Sequence, residues 1–139
     1  MPASPHPTAK LRSTAPVFQV GDVAAAMHWY ESRLGFVAHP FPRSPPHAFC
    51  ILTRDAVEIM LQRADDAAEL DVYRRRAGGV WHVYVRMEGV QDFYQQVRRQ
   101  PDVVVLEPLE RQPYGDSEFV VKDPDGYVLV FSELLGEGA

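Results

Sequence analysis

Apolar and polar positions in this chain alternate in short runs, and twice the period changes to that of a helix. The run Ala15 to Val20 predicts a strand, and Gly21-Asp22 ends it. Val23 to Arg33 reads as a helix: Val23, Met27 and Tyr30 form one stripe, extended by Ala26 and Leu34, with His28, Glu31 and Ser32 away from it. Asp22 is placed to cap the first turn, and Gly35 follows the last turn, where a left-handed conformation suits glycine. Three short strands are expected next, Phe36 to Phe41, Ala48 to Thr53 and Val57 to Gln62, separated by Arg43-Ser-Pro-Pro46 and Arg54-Asp-Ala56. Ala64 to Arg76 is charged and alanine-rich, and reads as a connector with a helical turn.

The second half repeats the order. A strand is expected over Val80 to Arg86, and a helix over Val90 to Arg99 with Val90, Phe93, Tyr94 and Val97 on one stripe. Strands follow at Val103 to Glu107, Glu118 to Lys122 and Tyr127 to Ser132, the last two joined by the turn Asp123-Pro-Asp-Gly126. An offset of 67 residues superposes Val17 on Tyr84, Val20 on Met87, Val23 on Val90 and Tyr30 on Val97. The repeat is one of pattern, since the residues themselves differ.

This organisation predicts an α+β fold of two βαβββ modules, residues 13–63 and 79–134. A tail at 1–12, a connector at 64–78 and a C-terminal tail at 135–139 flank them. At 139 residues, 46% hydrophobic and 24% charged, the chain has an ordinary globular balance. A net charge of −5 speaks against nucleic acid as the main partner, because phosphate binding needs a basic face. The single cysteine, Cys50, suits a reducing compartment and sits in an apolar run that favours packing. Neither a secretory h-region nor an apolar stretch of about 20 residues is evident, so a cytoplasmic protein without membrane contact is expected.

Two segments carry a family resemblance. Ala15-Pro-Val-Phe-Gln-Val-Gly-Asp-Val23, followed by Trp29-Tyr30 and Leu34-Gly-Phe36, resembles the opening of glyoxalase/bleomycin-resistance/dioxygenase (vicinal oxygen chelate) proteins. Gly115 to Phe131 resembles the family's closing strand pair, most of all in the bleomycin-resistance branch. The resemblance implies curved, mostly antiparallel sheets enclosing a cup, assembly as a homodimer, and a small-molecule ligand.

It also implies where a divalent metal would be held: by His, Gln or Glu on the first and last strands of each module. Carried over, those positions are Ala15, His82, Val130 and a residue near Met60, with Glu58 or Gln62 open as alternatives for the last. Alanine, valine and methionine offer no ligand for a hard cation, so no metal cofactor is expected. A metal-independent binding protein, in its sharpest form an antibiotic-sequestering one, is therefore the first expectation. The alternative is a lyase, isomerase or dioxygenase with a divalent ion shifted to His82 and Glu58. Alternation along the strands places His82, Tyr84, Arg86, Gln19, Glu58 and Met60 toward the cup, with Phe49 and Tyr114 as aromatic walls. Arg86 is expected either to bind an anion or to pair with an acidic residue such as Glu58, and Trp81 to point the opposite way from His82, into the packing layer.

Overall fold

The computed structural model describes residues 8–66 and 80–134. The expected C-terminal tail and much of the N-terminal tail and connector fall outside them. The first module runs β1 (Val17–Val20), α1 (Val23–Leu34), β2 (Val37–Phe41), β3 (Phe49–Arg54) and β4 (Val57–Arg63). The second runs β5 (Val83–Arg86), α2 (Val90–Arg98), β6 (Val104–Arg111), β7 (Asp116–Lys122) and β8 (Val128–Leu134). Each module closes into one four-stranded sheet, ordered β1-β4-β3-β2 and β5-β8-β7-β6. In both, the first strand pairs parallel with the last and the remaining pairs are antiparallel. Val17 lies opposite Met60 as Tyr84 lies opposite Val130, so the offset read from the pattern holds and Met60 is the counterpart of Val130.

Local chemistry sets the ends of the elements. The Asp22 carboxylate accepts the Ala25 N–H at 3.1 Å, and Gly35 ends α1 at φ 74°. β6 runs past the expected Glu107 to Arg111, through Pro108, with register irregularities on either side of Glu107. That is tolerable because β6 is an edge strand, where a missing N–H breaks no second ladder. β7 begins at Asp116, two residues before the expected start, and this brings a further acidic residue into the sheet.

One core spans both modules. It joins the α1 face (Val23, Ala26, Trp29, Tyr30, Leu34) to Val20, Leu52, Ile59 and Leu61, and continues through Tyr127 to Phe93, Val97, Phe119 and Phe131. Burying each of the valine, leucine, isoleucine and phenylalanine side chains among these stabilises the fold by roughly 1.5–3 kcal/mol. Contacts between the modules run through this helix-covered side. Phe18 stacks on Tyr127 with ring centroids 4.2 Å apart, the Tyr30 hydroxyl donates to Asp123 at 2.6 Å, and the Arg54 guanidinium lies over Phe93. β1 is an edge strand whose Gln19 N–H and C=O would lack partners. The Tyr127 hydroxyl accepts from the first at 2.9 Å and donates to the second at 2.8 Å.

Candidate functional site

The opposite face of the second sheet carries an unusual set of side chains. Alternation turns Val85, Phe119, Val121, Leu129 and Phe131 toward the shared core. The residues between them, Tyr84, Glu118, Val120, Val128, Val130 and Ser132, share the other face, on adjacent strands. Val120, Val128 and Val130 pack with Tyr84 and Leu106 into a small apolar floor. Beside that floor lie two carboxyl groups, Asp116 and Glu118, each only 2% exposed, and the fully buried Ser132.

The Tyr84 hydroxyl is the hub. It lies 2.6 Å from Asp116 Oδ2, 2.7 Å from Glu118 Oε2 and 2.9 Å from Ser132 Oγ. The Ser132 hydroxyl donates to Asp116 Oδ2 at 2.7 Å, and the Tyr114 hydroxyl to Glu118 Oε1 at 2.5 Å. Arg86 Nη1 donates to Asp116 Oδ2 at 3.1 Å, while its guanidinium sits 5.4 Å from the Tyr84 ring centroid. The hydroxyls of Tyr84 and Ser132, and then Arg86, hold the Asp116 carboxyl below its usual range. Burial, reinforced by the neighbouring carboxyls, pushes the Tyr84 phenol well above its ordinary value and that of Tyr114 up to about 12. Both phenols are therefore neutral donors at physiological pH. The cluster thus holds two carboxyl groups and one exposed guanidinium, which pairs with Asp116, with the rings of Tyr84, Tyr114 and Trp81 alongside. Such a surface offers acceptors and π faces to a planar donor or cation.

The expected site residues fall into three places. Tyr84, Arg86 and Tyr114 belong to the cluster just described. Gln19, Glu58, Met60 and Phe49 share the open face of the first sheet, where Gln19 Nε2 donates to Gln62 Oε1 at 3.5 Å and Phe49 lies beside Phe41. His82 stands apart from both. It precedes β5, its Nδ1 accepts the Val128 N–H at 2.9 Å, and its ring meets Tyr127 and Phe18 edge-on. The alternation that would align it with Tyr84 begins only at Val83. Arg86 pairs with an acidic residue, Asp116; Glu58, the example named for that role, belongs to the other sheet. Trp81 is half exposed with its ring 5.6 Å from that of Tyr84, not in the packing layer. His47 is a buried loop residue whose Nδ1 lies 2.7 Å from the Pro42 carbonyl oxygen.

Asp116, Glu118 and Ser132 are absent from the sequence-based candidates. Period-two parity from Val120 would have found the acidic pair, but a β7 starting at Glu118 hid the first of them. The turn expected at Asp123 to Gly126 is present: Asp123 Oδ1 accepts the N–H groups of Asp125 and Tyr127, both at 2.9 Å.

At the four positions where the family resemblance places a metal, the donors do not fit a divalent cation. Ala15 and Val130 have no lone pair to give, Met60 offers only a thioether, and His82 Nδ1 is engaged by Val128. Of the alternative pair, Glu58 lies in the first sheet opposite Thr53, whereas His82 sits against Val128, Phe18 and Tyr127.

The chain matches the family model of the glyoxalase/bleomycin resistance protein/dioxygenase superfamily over residues 11–131. No curated protein matches it. Among solved structures, TioX from Micromonospora sp. ML1 superposes with a TM-score of 0.71 at 17% identity, over 89% of this chain and 99% of that one. The bleomycin-binding protein of Streptomyces verticillus, complexed with copper(II)-bleomycin, gives 0.66 at 20% identity, over 89% and 97%. A bleomycin resistance determinant encoded on transposon Tn5 gives 0.64 at 18% identity, over 91% and 100%. At such identities the structures share the fold, and the family match covers most of the sequence: this chain belongs to the glyoxalase/bleomycin resistance protein/dioxygenase superfamily.

Proposed function

We propose that this protein binds a planar, cationic small molecule without the help of a metal ion, and that its role is sequestration of an antibiotic of the bleomycin type. The observation that carries this reading is the buried Asp116–Glu118 pair tied to Tyr84 on an otherwise apolar and aromatic face. Withdrawing carboxyl groups from water is unfavourable unless donors satisfy them; here Tyr84, Tyr114, Ser132 and Arg86 do so, and two acidic side chains against one guanidinium favour a ligand's ammonium or amidine groups. Solved structures of similar fold include two bleomycin-binding or bleomycin-resistance proteins, which supports the ligand class. The donor set at the family metal positions supports metal-independent binding.

Assembly as a homodimer is part of the same reading. Both open faces expose large apolar groups, Val17 and Phe41 on the first sheet and Trp81, Val104 and Tyr114 on the second. A second copy laid over them would turn an open sheet face into a cup around the carboxyl pair. Among the described residues no helix is long and apolar enough to cross a membrane, and a buried free Cys50 suits the reducing cytoplasm.

Calorimetric titration with bleomycin tests the proposal. Binding is expected in the unaltered protein and at least tenfold weaker in Asp116→Asn and Glu118→Gln. Undiminished affinity in both variants would overturn the assigned face. A stoichiometric divalent ion in protein purified without chelator, required for binding, would overturn metal independence.

A further inference from the structure

A cavity of about 610 Å³ lies between the two modules, on the helix-covered side of the second sheet and so away from the carboxyl pair. The first module contributes Phe36, Arg54 and Val57, and the second Val85, Phe93 and Phe131. The aromatic walls belong to the core, yet the space between them is open to solvent. Its size is that of a small-molecule site, and clefts between structural units are favoured places for one.

Arg54 gives this cleft its chemistry. Nη1 donates to the Leu34 carbonyl at the end of α1, 2.6 Å away, and the guanidinium lies 5.0 Å from the centroid of the Phe93 ring. One edge is thus fixed by the first module and one face by the second, so the cation is held in place before any ligand arrives. Of its five N–H groups, the described contacts engage one by a hydrogen bond. The Asp55 carboxylate stands 3.9 Å from Nε, beyond hydrogen-bond reach, and is almost wholly solvated. Glu88 and Arg86 at the rim are exposed, and Arg86 is already paired with Asp116.

We infer that this cleft is a second binding site, for an aromatic carboxylate. The ring system packs among Phe36, Phe93 and Phe131, and the carboxylate takes the free edge of Arg54. This site is independent of the one proposed on the opposite face: it selects an anion where the other selects a cation, and the two sets of lining residues share only Arg86.

Calorimetry with 2-naphthoate as the probe, and neutral 2-naphthamide as a control of the same shape without the charge, tests the inference. Naphthoate is expected to bind the unaltered protein and to bind at least tenfold more weakly in Arg54→Gln. Because Arg54 also holds the end of α1, a second variant, Ala56→Trp, narrows the mouth from an exposed turn and is expected to weaken naphthoate similarly. Asp116→Asn is expected to leave naphthoate binding unchanged. Absence of naphthoate binding, affinity undiminished in both cleft variants, or loss in Asp116→Asn alone would overturn the second site, whatever bleomycin does.

Discussion

The Asp123 carboxyl offers the sharpest test of how the modules are joined. It is buried, accepts two backbone N–H groups and the Tyr30 hydroxyl, and is pushed from 3.8 up to about 7, first by burial and then by the nearby Asp125 charge. A folded-state value above the unfolded one means that its contribution is fully present below about pH 4. It is lost as pH rises, until the folded carboxyl also ionises near 7. At about 1.4 kcal/mol per pH unit, and less as the folded group itself begins to ionise, roughly 2 kcal/mol of stability should disappear between pH 5 and pH 7 on account of this group, and a little more by pH 8. Asp123→Asn keeps the oxygen that accepts the Asp125 and Tyr127 N–H groups and removes the ionisation. Urea unfolding followed by tryptophan fluorescence at pH 5, 6, 7 and 8 gives the comparison. The variant should lose about 2–3 kcal/mol less than the unaltered protein over that range, and the difference between the two cancels the other titrating groups. Parallel pH profiles would refute the reasoning, and so would a variant equally destabilised at every pH.

Other substitutions probe separate links. Asp116, held low by its hydroxyl partners, has the opposite sign: its contribution is present above the unfolded carboxylate value and lost as pH falls below it, so Asp116→Asn should flatten the acid limb of the unfolding profile. Gly35→Ala should cost about 1–2 kcal/mol in urea denaturation, because φ is 74° and the added methyl would lie 3.0 Å from Arg54 Nη1. Asp22→Ala removes the cap of α1 and should cost about 1 kcal/mol by the same assay. Leu61→Ala, at a fully buried core position, should cost about 2–5 kcal/mol and lower the thermal midpoint accordingly.

How much of the site could be read in advance follows from what period-two alternation carries. It assigned Tyr84 and Arg86 to one face of their strand, and Gln19, Glu58 and Met60 to one face of theirs, because side chains on a strand must alternate. His82 escaped the rule by lying just before β5, where hydrogen bonds with Val128 and the rings of Phe18 and Tyr127 fix its direction. Trp81 escaped it for the same reason. Asp116 and Glu118 had the right parity with Val120, yet nothing local distinguishes an acidic strand flank in water from a buried pair.

The sequence by itself determined the two βαβββ modules, the caps of α1, the Asp123 turn and the alkyl groups at Ala15 and Val130. These depend on chain stiffness, turn chemistry and residue type over a few neighbouring positions. Only the tertiary structure decided that Tyr84 would gather Asp116, Glu118 and Ser132 from positions 32 to 48 residues away. It alone decided that Arg54 would reach across to Phe93 and leave a cleft beside it. Such contacts follow from how β5, β7 and β8 pair and how two cores meet, and no window along the chain contains both partners.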